Sequence, residues 1–258
     1  MFNLDNCKDL IIIAGDSWGV GEFSGEGESR LGSDKVSHSG LQHYFEEHNQ
    51  TILNLSKPGG NNTESFLRCA NFIENNSQLQ NQIKSIIVFQ TEWVRDLMDS
   101  WHLEECLEYS LEDLKSRWIS RLYMRFSELS QKYNIPVYII GGCSDTLWLD
   151  NMHIEYPGVQ IVCQSLTNLL VNGDHRIEQP ILVSCQYHLL EKIVLLKKNK
   201  ISNSDKLLLI DELTASEHRI KIWRSQRYWF YPDGIHPNRE GYKKLFEHLC
   251  TREVLLIN

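Results

Sequence analysis

Paired cysteines are missing from this sequence. Its seven cysteines, at positions 7, 69, 106, 143, 163, 185 and 250, include no Cys-x-x-Cys. An odd number of widely spaced thiols argues against a disulfide framework and against a zinc site. Basic runs are scarce too: the densest is Lys197-Lys198-Asn199-Lys200. With 34 Asp+Glu against 26 Lys+Arg the net charge is −8, which repels a phosphate backbone and sets nucleic acid aside as the main partner. Long apolar stretches are also lacking. The longest early one, Leu10 to Ala14, falls far short of a membrane span. The opening Met-Phe-Asn-Leu-Asp-Asn-Cys-Lys-Asp has neither the basic head nor the apolar core of a secretory signal, so a cytoplasmic setting is expected. What is present, 41% hydrophobic and 23% charged residues with only 6 prolines, is the composition of an ordinary globular chain.

A chain of 258 residues is long enough for one large α/β domain or two small ones. Four short β-branched runs, at 10–14, 51–55, 85–89 and 135–140, read as buried parallel strands. A fifth, Lys206-Leu-Leu-Leu-Ile210, ends in Asp211. Between them lie helical patterns at 39–49, 62–74 and 104–133. In the last, Leu107, Leu111, Leu114, Trp118, Leu122, Phe126 and Leu129 recur at three- and four-residue steps. Alternating strand and helix predicts a doubly wound parallel sheet. Two apolar segments, 159–171 and 180–198, are expected to be helical and to belong to an insertion, 145–204, before the last strand. Residues 1–258 then form a single domain carrying that insertion. Thr214-Ala-Ser-Glu217 has the spacing of a capping box. A final helix is expected just after His236, with Pro237 in its first turn and Leu245, Phe246 and Leu249 facing the core.

Two places can carry chemistry. Gly15-Asp16-Ser17-Trp18 follows the first strand directly, with Gly19, Gly21 and Gly25 beyond it. In open parallel sheets ligands sit at the carboxyl ends of strands, and glycines there let backbone approach a ligand closely. By itself this is equally a polar turn. Near the other end stands Asp233-Gly-Ile-His236-Pro237. A serine hydroxyl needs a base to become a nucleophile, and imidazole suits that task near neutral pH. A carboxylate three residues earlier can bond the other ring nitrogen and hold the tautomer. By itself this segment is equally a helix cap.

Together the two segments resemble the SGNH, or GDSL, hydrolase family over nearly the whole chain outside the insertion. The resemblance implies a flavodoxin-like three-layer α/β/α fold with a five-stranded parallel sheet. It further implies hydrolysis of esters without metal or cofactor, with Ser17 as nucleophile, His236 as base and Asp233 as third triad member. The family's glycine block corresponds to Asn54-Leu-Ser-Lys-Pro-Gly59-Gly60-Asn61-Asn62. The implied oxyanion donors are the N–H groups of Ser17 and Gly59, with Gly60 as runner-up. An ordinary strand-to-helix turn capped by Asn62 accounts for the same residues. The third block departs from the family's Gly-x-Asn-Asp: here stand Gln90-Thr91-Glu92-Trp93 and then Arg95. Glu92 occupies the place of the oxyanion asparagine, and losing such a donor costs about 10²–10³ in rate. The Thr91 hydroxyl or the amide of Asn61 or Asn62 is the candidate replacement. Alternatively Glu92 pairs with Arg95 and turns away.

The expected activity is that of a carboxylic ester hydrolase acting on an O-acyl ester, with a small-molecule or glycan ester as substrate. The alternatives are a catalytically weak or inactive scaffold of the same fold, or an O-acyltransferase. Other features read blandly. The aromatics of 227–231 could line a pocket but suit a core better. His38, His43 and His48, five residues apart, would spread over different faces of a helix. Cys143 has no histidine nearby in sequence, and Gly19-x-Gly21 is too short for a dinucleotide fingerprint.

Overall fold

The computed structural model describes residues 9–23, 36–93, 95–96, 109, 111–142, 146, 152–170 and 236–251. Five strands, β1 (Leu10–Ala14), β4 (Thr51–Asn54), β5 (Ile83–Gln90), β6 (Val137–Gly141) and β7 (Val159–Cys163), form one sheet in the order β4-β1-β5-β6-β7. Every pairing in it is parallel. Counted along the chain, the order is 2-1-3-4-5, the flavodoxin-like arrangement, and it reverses direction between β1 and β5.

Strand periodicity explains why the sheet needs cover on both sides. All five residues of β1 are buried. Leu10, Ile12 and Ala14 join one apolar cluster, while Ile11 and Ile13 join the other, as alternation across a strand requires. On the first face lie α3 (Asn62–Asn75) and α4 (Leu111–Tyr133), contributing Cys69, Ile73, Leu114, Tyr123 and Phe126. On the second lie α2 (Leu41–Glu47), α6 (Leu166–Leu170) and α7 (Arg239–Thr251), contributing Leu41, Phe45, Leu166, Tyr242 and Leu245. The result is three layers, α/β/α. The remaining elements are small: α1 (Ser17–Val20), an antiparallel pair β2 (Glu22–Phe23) and β3 (Val36–His38), a 3₁₀ turn (Ser77–Gln82) and α5 (Met152–Glu155).

The four early strand expectations are found, within a few residues, as β1, β4, β5 and β6. The fifth strand of the described sheet is a correction. Val159–Cys163, expected to begin a helix, is strand β7, paired to β6. Gly158, at φ +80°, turns the chain immediately before it. Leu166–Leu170 begins the next helix, so only a short apolar run remains, with β-branched Val159, Ile161 and Val162, which suits a strand. The range 145–204 therefore supplies part of the sheet. Lys206 to Ile210, the segment 180–198 and the capping box at 214–217 lie outside the described residues. The last helix begins at Arg239, two residues beyond Pro237. Asn238 opens it, with its Oδ1 accepting from the N–H of Gly241 at 3.0 Å. Leu245, Phe246 and Leu249 are buried, as expected.

Candidate active site at the strand ends

β1 runs into a turn built around one close approach. Gly15 has φ +153°, and a Cβ on it would stand 2.7 Å from Phe89 Cβ and 2.8 Å from Phe89 O. Its carbonyl accepts from Lys57 N at 3.1 Å and from Arg68 Nη2 at 3.0 Å. Asp16 is extended and caps α1: its Oδ1 accepts from Trp18 N at 3.0 Å. Half-buried Ser17 is thus the first residue of a single helical turn, at the carboxyl end of β1 and beside β5. That is the crevice where strand order reverses. Gly19 sits against the segment after β4, where a Cβ would come within 2.3 Å of Ser56 Oγ. Asn54 Nδ2 donates to Gly19 O at 2.9 Å.

The glycine-asparagine segment divides its labour. Gly60 N donates to Lys57 O at 3.0 Å, closing the turn with the N–H of the runner-up donor. Gly59, at φ +70°, stands exposed at the crest, with no atom within 4 Å of where its Cβ would be. The side-chain cap of α3 is Asn61, not Asn62: Asn61 Oδ1 accepts from Glu64 N at 2.7 Å. Asn62 faces inward. Its Nδ2 donates to Thr91 O at 3.1 Å and to Asp96 Oδ2 at 2.8 Å, and its Oδ1 accepts from Thr91 N at 2.9 Å. Both amide hydrogens of Asn62 are therefore committed to bracing α3 against the chain beyond β5. Asp96 completes the brace by accepting from Thr63 N at 2.7 Å. Burial pushes its carboxyl up, against the pull of those N–H donors.

Glu92 turns to Arg95, the alternative its position suggested. Arg95 Nε lies 2.8 Å from Glu92 Oε2, and Arg95 Nη1 lies 3.5 Å from Asp16 Oδ2. The buried Thr91 hydroxyl is 2.8 Å from Asp16 Oδ2 and 2.8 Å from Glu92 Oε2. Burial, then the charge of Glu92, raises the Asp16 carboxyl above its ordinary range. Arg95, the Trp18 N–H and Thr91 pull the other way.

The far end of the chain is fastened onto this turn. Buried Glu22 accepts from the backbone N–H of Arg239 and from Arg239 Nη2, the latter at 3.0 Å. Tyr242 Oη donates to Trp18 O at 2.8 Å and reaches Gly21 O at 3.3 Å. Arg239 O accepts from Tyr44 Oη at 2.7 Å. These bonds bind α7 to residues 18–22, directly downstream of Ser17. They set the half-buried His236 ring on Phe23, with centroids 4.8 Å apart. The bonds that fasten α7 run to Trp18, Gly21 and Glu22, neighbours of Ser17 in that turn. Asp233, Cys143 and the aromatics at 227–231 lie outside the described residues.

The strand-end loops thus set Ser17, Gly59, Asn62 and Thr91 beyond the carboxyl ends of β1, β4 and β5, and the segment entering α7 carries His236 towards the turn that holds Ser17. Sequence reading missed Glu22 with Arg239, and Arg68, which also donates from Nε to Leu55 O at 2.7 Å. No local pattern signals a contact across 217 residues. It also put His38 on a helix. His38 is in β3, and its ring lies 4.4 Å from that of His43, which pairs with Glu47 at 3.2 Å. Among the described residues no group of three or more His, Cys, Asp or Glu is arranged to hold a metal.

No family model and no curated protein matches the chain. Among solved structures the chain is similar to TesA, at 11% identity and TM-score 0.40, covering 94% of this chain and 97% of that one. It is similar to a psychrotrophic esterase, EstA, from Pseudoalteromonas sp., at 10% identity and TM-score 0.42, covering 96% and 100%. A third similar structure is the lipase Lip_vut3 from a goat rumen metagenome, at 13% identity and TM-score 0.45, covering 97% and 100%.

Proposed function

We propose that this protein is a serine hydrolase of O-acyl esters, with Ser17 as nucleophile, His236 as general base and Asp233 as the group that orients the imidazole. The observation that carries this reading is the fastening of α7 onto residues 18–22 by Tyr242 and Arg239. It brings His236, three residues ahead of α7, onto Phe23 beside the turn that presents a half-buried serine at the sheet crossover.

In this reading Ser17 Oγ attacks the ester carbonyl while His236 accepts its proton. The alcohol leaves with that proton, and His236 then activates water to release the acyl group. The tetrahedral oxyanion faces the N–H groups of Ser17 and Gly59. Thr91 and Asn62 bond to neighbours within the protein, so either would reach an oxyanion only by exchanging a bond it already makes. A hole of two backbone donors is slower than one of three by about 10²–10³. We favour an acyl group carried on a carbohydrate or similar small alcohol.

A fluorophosphonate probe tests the assignment. The folded protein should be labelled on Ser17, and S17A and H236A should each lose the label. Failure of a folded sample to label would overturn it. The commitment of Thr91, Asn62 and Glu92 to internal bonds favours one competing reading, a non-catalytic binding protein on this fold. Equal aryl-ester turnover by wild type and H236A would decide for it.

A further inference from the structure

A hydroxyl group carries one hydrogen. Thr91 Oγ1 nevertheless stands 2.8 Å from a carboxyl oxygen of Asp16 and 2.8 Å from one of Glu92, both ordinary O–H···O lengths. Thr91 can donate a full bond in one of these contacts only. To make a full bond in the other it must accept, and an ionised carboxylate has no hydrogen to give. One hydrogen shared between two carboxylates serves each weakly, whereas a proton on one carboxyl gives both contacts a full bond and removes the repulsion between like charges.

We infer that Asp16 carries this proton in the folded protein. The neutral acid then serves as a positioning residue at the head of a directed chain: Asp16 Oδ2–H donates to Thr91 Oγ1, and Thr91 Oγ1–H donates to Glu92 Oε2. Arg95 Nε–H donates to that same Glu92 oxygen. The chain ties the segment after β5 to the turn bearing Ser17.

Its direction follows from the surroundings of the two ends. Glu92 Oε2 has a guanidinium nitrogen at 2.8 Å, and its side chain is 13% exposed. Asp16, 4% exposed, has among the described residues only the more distant cationic nitrogen, Arg95 Nη1, at 3.5 Å. The ion pair thus sits on Glu92, and the uncompensated buried oxygen is on Asp16, where burial favours the neutral form. The other Asp16 oxygen, Oδ1, accepts from Trp18 N, which a neutral acid's carbonyl does as readily as a carboxylate.

The charged groups packed around this carboxyl, among the described residues, are few. Glu92 and Arg95 come from the segment after β5. Arg68 comes from α3, but its guanidinium is turned to the carbonyls of Gly15 and Leu55. Asp96 connects only indirectly, through the Asn62 amide that bonds the Thr91 backbone.

This inference does not depend on ester chemistry, and its test has no activity readout. Carboxyl ¹³C resonances of aspartate-labelled full-length protein would be titrated by NMR, with Asp16 assigned through its bonds to Gly15 and Ser17. Asp16 should remain protonated after the exposed aspartates have ionised. In E92Q its midpoint should move down, because a repelling charge has gone. At pH below the Asp16 midpoint D16N should fold as stably as wild type, with its amide donating to Thr91 in place of the acid, whereas D16A should be less stable. Two outcomes overturn the inference: Asp16 ionising together with the exposed aspartates, or glutamate labelling that finds the retained proton on Glu92.

Discussion

Gly15 and Arg68 show at the scale of single residues how the site is held open. A side chain at Gly15 would have to displace the backbone of Phe89, 2.8 Å away. G15A is therefore expected to lose about 1–3 kcal/mol, read as a lower denaturant midpoint at unchanged slope. Arg68 ties the carbonyls ending two neighbouring strands, Gly15 O and Leu55 O. R68M should cost roughly 1.5–3 kcal/mol through the loss of charge-assisted bonds, checked by the same measurement. Legibility at this scale followed sequence distance. Gly15-Asp16-Ser17 was readable because strand, turn and hydroxyl are adjacent. The roles of Asn61 and Asn62 were not, because two neighbouring asparagines have identical capping chemistry. Only the inward brace to Thr91 and Asp96, from 29 and 34 residues away, separates them.

Among the elements, α7 depends most on a partner far away in sequence. Glu22 is buried where α7 begins. Burial raises its carboxyl, but the hydrogen bonds and charge of Arg239, helped by Ser37, outweigh that and hold it below its ordinary range. A depressed carboxylate contributes stability that is present above its ordinary value of 4.5 and lost as pH falls through its lower folded value. E22Q should melt lower than wild type at neutral pH, and the difference should shrink in acid. Thermal melts across an acidic pH series check this. Element type was legible wherever periodicity ran long, as in α4, or wherever a β-branched run was bounded by turns, as in β1, β4, β5 and β6. β7 was misread because Val159–Cys163 and Leu166–Leu170 form nearly one continuous apolar tract. The turn between them is marked only by Gln164 and Ser165.

Across the whole molecule, two buried carboxyls act in opposite senses of pH. The contribution of Glu22 fades on the acid side. Asp16, with its folded value raised, contributes stability that is complete below its ordinary 3.8 and lost as pH rises through the raised value. Replacing Asp16 with Asn should flatten the alkaline side of the stability profile and leave the acid side to Glu22. Differential scanning calorimetry of wild type and D16N over a pH series checks this. The doubly wound parallel sheet was legible from four strands, because each is short and apolar and they alternate with helical patterns, whereas the flavodoxin-like order was expected only through the family resemblance. The way the two ends of the chain meet was legible only as an expectation about Ser17 and His236, since Glu22, Arg239 and Tyr242 form no pattern along the sequence.

Tyr242 and Arg239 grip a turn translated more than two hundred residues before them. On the ribosome, β1 and the loops around Ser17 emerge well before the helix that clamps them, which follows every strand of the described sheet. A nascent chain halted before residue 239 would have its central strands in hand while Ile11 and Ile13 lacked the cover of Tyr242 and Leu245. Emergence of α7, more than pairing of the strands, is then the event that completes the second helical layer. A stalled chain should present bare hydrocarbon to chaperones on that one flank.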